Sequence, residues 1–507
     1  MGISKKPRGL LRGGSALLRP PPGLCWADML AMGGIMATCF FLFQSADLDI
    51  TSSVSYAYLE GHFLDFYSYN MAGIASVFHI DLDYLQPLHL LFAAWNIPLK
   101  LFGLTDHVKQ GEYKLSFPEL AWTKLLLVAF LALCSVAVYK CARLITQGDH
   151  GQARLCMFLF AANPLTIYSI YWFGGYDIFG LTFTMLGLHA FLQRRHWRFV
   201  LWFALATPFK FYALIAFLPL LLLDEKNVWK LLRSLLVAAM PTLACLLLTL
   251  LDPGATPLAR LRQVQGSTLA IGSGMYPAIL PLAFLAICLF AYMKRPAHEQ
   301  ERQKYAVLLP LAAMSALFAC IFWYMQWLIL LMPWLALAFL FSSNRKYSLL
   351  FDTATAALLF IKTFLVYACF PLAEEGFLVD PGKWDLSHTQ YVLGNFWVIS
   401  PKGYGPVRAF FQPGTIMIGR FIPVALYRSL DALLLVCLFS PLILQLMYRI
   451  KDTWPAPKLF KAEGAYVRLF CYGGLASYFL PVMAVSAGYT WFPDWTARIL
   501  EAVMRFN

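Results

Sequence analysis

Apolar runs of about the length that crosses a bilayer, roughly 17–25 residues, recur along almost the whole chain, and short basic connections separate them. The first runs from about Ala27 to Ser45, and the next clear one from Pro118 to Arg143. "RLCMFLFAANPLTIYSIYW" and "IFGLTFTMLGLHAFL" form a pair joined by the turn "FGGYD". Further runs cover Leu231–Leu251, Ala278–Met293, Ala306–Ile321, Trp327–Phe341, Leu349–Pro371, Val424–Met447 and Leu469–Tyr489. The segment Phe199–Leu223 is different. Both of its ends meet charged connections, so it reads as a hairpin of two short helices bent at "TPFKFY", where Pro208 removes a helical donor. The pattern predicts an all-α polytopic membrane protein of about thirteen spans.

The excess of Lys and Arg in short cytoplasmic connections sets the orientation. Residues 1–26 form a basic cytoplasmic tail and residues 27–371 a transmembrane core. A first outer loop covers residues 46–117, a second residues 372–423, and residues 424–507 hold the last helices and an outer tail. Within the first loop, "YLQPLHLLFAAWNIPLKLFG" is apolar but broken by Pro87 and Pro98, and a full crossing there would put the basic "YKCARL" outside. It is expected to form re-entrant or interfacial helices.

Composition agrees. Of 507 residues, 60% are hydrophobic and only 13% charged, where a soluble chain carries about a quarter charged. The net charge of +13 follows from the basic connections and gives no sign of a nucleic-acid partner. No pair of cysteines has CxxC spacing, which removes the common zinc and disulfide frameworks. The basic N-terminus ahead of an apolar run reads as an uncleaved signal anchor. Neither a phosphate-binding GxxxxGK[ST] nor a dinucleotide glycine fingerprint occurs, so an activated substrate has to arrive from the membrane.

Chemistry concentrates on the outer side. Asp47 and Asp49 follow the first span, and a carboxylate there acts as a general base if its surroundings raise its pKa toward working pH. The plain alternative is a solvated acid at a span end. Glu60, His62 and Asp65 lie among aromatics in "LEGHFLDFYSYN". Such side chains hold sugar rings or sit at the bilayer interface. Asp177 follows Tyr176 in "WFGGYD", where it also suits a helix N-cap. Lys210, at the apex of the broken hairpin, needs an anion: a lipid phosphate or a buried acid. Lys362 raises the same question within its span. Arg260, Arg262, Lys402, Arg408 and Arg420 add cations outside, against the orientation rule, and suit phosphate or lipid headgroups.

In their order, "ADLD", "LEGHFLDFY", "YLQPLHLLF", "NPLTIYSIYWFGGYD" and "PFKFYALIAFLP" resemble the GT-C superfamily of integral-membrane glycosyltransferases. The nearest branches are those related to GPI mannosyltransferases and to bacterial polyprenyl-phosphate-sugar enzymes. The chain departs from it where many relatives read Trp-Gly-Gln-x-Asp, having Gly174, Gly175 and Tyr176 before Asp177, and where Gln86-Pro87 replaces a Pro-Pro. The resemblance implies transfer of a sugar, with inversion, from a polyprenyl- or dolichyl-phosphate donor to a glycan or lipid-linked acceptor. It implies a first-loop Asp as base, Asp47 before Asp49, with Lys210 at the phosphate and Asp177 supporting. His62, Asp65, Tyr176, Arg260 and Arg408 would complete the substrate site. No cofactor is required. Asp47-Leu48-Asp49 has a D-x-D form, which leaves a divalent metal open. Two rival readings are a lipid-linked glycan polymerase or ligase, dependent on Arg408, Arg420 and His388, and a lipid-linked-sugar transporter. The missing Asn-x-Ser/Thr sequons favour a bacterial inner membrane over the endoplasmic reticulum.

Overall fold

The computed structural model describes residues 19–78, 84–105, 115–254, 276–320, 325–342, 345–369, 396–400, 403–406, 463–473 and a few positions between 433 and 442. Arg260, Arg262, His388, Lys402, Arg408, Arg420 and most of the last two expected spans lie outside these residues, as does the side chain of Lys362.

The described chain is helical apart from one small sheet. α1 (Trp26–Leu42) ends three residues short of the expected span. A strand β1 (Phe43–Ser45) follows and then α2 (Ala46–Val54), which carries Asp47 and Asp49 in its first turn. β1 pairs antiparallel with β2 (Phe396–Ser400), Phe43 opposite Val398, and β2 with β3 (Gly403–Pro406). The β-branched and aromatic residues of "FWVIS" suit a strand, and this sheet is the departure from an all-α fold.

The first loop contains α3 (Tyr56–Leu59), α4 (Phe66–Phe78) and α5 (Gln86–Leu101), all short. α6 (Phe117–Ile145) starts at Ser116, whose backbone N–H donates to Glu119 Oε2 at 2.7 Å, the reciprocal half of a capping box. Trp95 of α5 and Trp122 of α6 stack and exchange Nε1–H···O bonds of 2.9 Å, which fixes the loop helices to the long one.

The run expected as one outward span is divided. α7 (His150–Ala161) ends before Asn163-Pro164, α8 (Pro164–Ile167) restarts with Asn163 as N-cap, and a wide turn, Tyr168–Trp172, completes it with a 48° bend. Proline cannot donate to the previous turn, so the helix breaks there. α9 (Ile178–Leu192) then runs back. The expected hairpin is present as α10 (His196–Ala206) and α11 (Ala213–Asp224), with Lys210 in the bend. α12 (Val228–Thr249), α13 (Tyr276–Met293) and α14 (Glu299–Cys320) follow. The next expected span is a short α15 (Met332–Ala338) between two 3₁₀ turns, and α16 (Arg345–Cys369) comes after it. α17 (Glu463–Arg468) returns to the N-terminal helix, where Arg468 and Tyr472 donate to the Asp28 carboxylate.

Two helices, Phe117–Ile145 and Val228–Thr249, are long and apolar enough to cross a membrane, and the bent pair His150–Ala161 with Pro164–Trp172 makes a third candidate. Among the described residues that is the count, well below thirteen. Five further apolar helices are shorter than a full span. α9 sits at the centre, packed on α6, α10 and α11. Asp177 lies at one end of it and the turn after Leu192 at the other.

Candidate active site

A double-glycine turn allows two distant segments to meet at the Asp177 end. Gly174 has φ +74°, and a Cβ there would lie 2.6 Å from Leu48 Cδ2. Only glycine lets the turn press against α2 so closely. Gly175 is equally confined, its N–H donating to Ser169 O at 2.6 Å. With Leu48 seated against Gly174, its neighbour Asp47 faces Tyr176, whose hydroxyl donates to the carboxylate at 3.1 and 3.3 Å. This contact joins residues 129 positions apart.

The hairpin brings in the other half. Lys210 Nζ lies 2.5 Å from Asp177 Oδ1, both groups largely withdrawn from solvent with 12% and 3% side-chain exposure. Tyr212 donates to the same Asp177 oxygen at 2.7 Å. Four rings surround the ammonium, with centroids at 4.7 Å (Trp327), 5.1 Å (Tyr84), 5.5 Å (Tyr212) and 6.0 Å (Tyr176). Tyr84 is held from behind by Tyr67, which donates to its carbonyl at 2.7 Å, and meets Tyr176 edge-on.

These groups tune Asp47. Burial pushes its carboxyl pKa up, the Tyr176 hydrogen bond and the Lys210 charge pull it down, Asp177 adds a smaller rise, and the result is about 6. A carboxylate at that value is ionised at neutral pH yet basic enough to accept a proton from a positioned hydroxyl.

The two aspartates of α2 do not act together. Two positions apart on a helix at 3.6 residues per turn, they project about 200° apart. Asp49 is buried away from the Lys210 cluster and shares its surroundings with Lys124, whose ammonium donates to the carbonyls of Phe40 and Tyr171 at 2.9 Å each. The D-x-D pattern is therefore not a chelate in this arrangement. Among the described residues no group of three or more His, Cys, Asp or Glu could hold a metal ion.

His62 and Asp65 form a separate, exposed cluster. Their side chains meet at 3.0 Å, His62 stacks on Tyr69 with centroids 3.8 Å apart, and Tyr69 donates to Glu60. No hydrogen bond or ion pair among the described residues links this cluster to Asp47 or Lys210. The structure thus brings together Asp47, Tyr176, Asp177 and Lys210 from the sequence reading. It adds Tyr84, Tyr212, Trp327 and, beside Asp49, Lys124. A lysine inside the apolar run Pro118–Arg143 was the signal for the last. Trp327, the aromatic at the start of the apolar run Trp327–Phe341, carried only the signature of a residue at the bilayer interface, and Tyr84 no signal of its own. Comparison with family models, with curated proteins and with solved structures finds no match.

Proposed function

We propose that the chain is a multi-pass membrane glycosyltransferase of GT-C type, with the Asp177 end on the extracytoplasmic side of a bacterial inner membrane. About thirteen spans is the corresponding full layout. One observation carries the reading: a carboxylate with pKa near 6, a buried lysine and four aromatic rings converge at one end of a strongly apolar fold. In the reaction, the Asp47 carboxylate takes the proton of an acceptor hydroxyl as its oxygen attacks the anomeric carbon of a lipid-phosphate-linked sugar. The anomeric C–O bond to phosphate breaks with inversion, and the polyprenyl phosphate leaves with the electron pair. Lys210 exchanges part of its pairing with Asp177 for that phosphate, and Trp327 and Tyr84 offer flat apolar faces to a sugar ring. Arg260 and Arg408 are assigned to the same anionic substrate.

The experiment supplies native membranes, as acceptor source, with a synthetic polyprenyl-phosphate hexose labelled in the sugar. Release of polyprenyl phosphate with a label-bearing product of inverted anomeric configuration is the expected result. Labelled donor that stays intact across a panel of hexoses contradicts the reading.

A second reading, a carrier for lipid-linked sugars, draws on one observation: broken helices occur both at Asn163-Pro164 and in the α10–α11 hairpin, as in transporters whose half-helices surround a charged site. Uptake of the intact labelled lipid into vesicles, unaffected by Asp47→Asn, would favour it.

A further inference from the structure

The opposite end of α9 holds a second charged site. A cavity of about 210 Å³ opens between the ends of α9, α10 and α11. Its floor is apolar, formed by Phe191, Phe199 and Leu221, and its mouth carries Arg194, Arg195 and His196. The one acid in its wall, Asp224, is already satisfied. Arg302 donates to both its oxygens at 2.7 and 2.8 Å and, through the same fork, to Phe191 O and Glu299. Arg194 pairs with Glu299 at 2.5 Å, and Glu225, the residue after Asp224, pairs with Lys230. His196 is turned to Ser234 Oγ at 3.0 Å. Arg195 is exposed, and its guanidinium has no hydrogen-bond or ion-pair partner among the described residues, its backbone alone bonding to Ala190 and Phe199. The cavity therefore presents uncompensated positive charge.

An apolar surface adjoins it. On α10, Trp197, Leu201 and Leu205 are exposed at four-residue spacing; on α12, Trp229, Leu232, Leu236, Met240, Leu243 and Leu247 form a parallel stripe. The two helices are bound to each other through Thr207 and Thr242, whose hydroxyls meet at 2.9 Å. Where the stripes begin, Arg233 lies over the Trp197 ring at 4.8 Å, and Trp229 is 80% exposed. Cations and tryptophans at the edge of a lipid-facing stripe mark the depth of phospholipid headgroups.

We propose that this cavity binds the phosphate of an anionic phospholipid, its acyl chains lying along the exposed stripes of α10 and α12. The fifteen residues of α9 separate it from the candidate active site by about 22 Å at 1.5 Å per residue, so it is not the donor site. The inference rests on the membrane reading alone and holds whichever reaction the other end performs.

The test follows thermal unfolding of the full-length protein in neutral detergent while phosphatidylglycerol, phosphatidylcholine or inorganic phosphate is added. Phosphatidylglycerol is expected to raise the transition saturably, the other two far less. Arg195→Gln is expected to raise its half-saturating concentration about fivefold, the share of one arginine at an anionic surface, while Arg195→Lys stays within about twofold. Equal shifts with both lipids, an equal shift with inorganic phosphate, or an unchanged titration in Arg195→Gln would each overturn the proposal. Should Arg195→Gln not fold, the wild-type contrast between the two lipids still decides.

Discussion

Lys210 serves two acids, and its removal should cost more than the removal of Asp177. In the intact site the ammonium is 2.5 Å from Asp177 and also lowers the pKa of Asp47. Breaking a buried pair by deleting one partner costs about 3–5 kcal/mol, because a charge is left uncompensated. Asp177→Asn leaves Lys210 with four rings, each worth about 0.5–2 kcal/mol to a desolvated cation, and with Asp47 as remaining counter-ion. That variant should fall at or below the lower end of the range. Lys210→Met leaves two neighbouring carboxylates and no cation, so it should reach the upper end. The double variant removes the pair together, and its loss should be smaller than the sum of the singles by about 2–3 kcal/mol, within the range known for residues in one network. The assay is thermal or denaturant unfolding of purified protein in detergent, followed by tryptophan fluorescence, on all four members of the cycle. Additive losses, or a costlier Asp177→Asn, would refute the electrostatic account of this cluster.

Three further outcomes follow from the same geometry. Tyr176→Phe removes the hydrogen bond that lowers the Asp47 pKa, so the acidic limb of a pH–activity profile should move upward from about 6, with the fully ionised rate less affected. Asp47 is raised from 3.8 to about 6 in the folded state, so its contribution to stability is full below pH 4 and is lost as pH rises through 6. At neutral pH that loss is up to about 3 kcal/mol, and Asp47→Asn should raise the unfolding temperature there while leaving it nearly unchanged at pH 4. Gly174→Ala forces a left-handed φ on alanine and drives its Cβ into Leu48, so activity should fall at least tenfold with the Asp47–Tyr176 contact displaced. Leu48→Ala in the same chain, by making space, should recover part of it.

Much of this site could be read from the residues in order, because each signal was a local conflict. Lysine in an apolar hairpin with Pro208, and aspartate after Gly-Gly, are both costly unless something pairs them, and they pair with each other. The buried-acid partner was one of two anions open for Lys210, and Asp177 occupies that place here. The different surroundings of Asp47 and Asp49 follow from their spacing, since positions two apart on a helix face different ways. This was hidden by treating the segment as loop, when α2 begins at Ala46. The break at Asn163-Pro164 was written in the dipeptide but masked by the apolar run around it. Tyr84 and Trp327 were out of reach. They arrive from segments more than 240 positions apart and come together only around the Lys210 ammonium. The sheet pairing of β1 with β2 is non-local in the same way.

The most direct measurement compares sugar transfer by wild type, Asp47→Asn and Asp49→Asn in native membranes given lipid-linked donor, with expression and folding matched. Asp47→Asn should lose about two or more orders of magnitude, the usual worth of a general base, and its residual rate should show no limb near pH 6. Asp49→Asn should retain more activity, since that side chain lies toward Lys124. Full transfer by Asp47→Asn would contradict the assignment of the base, and with it the reaction proposed for this end of the molecule.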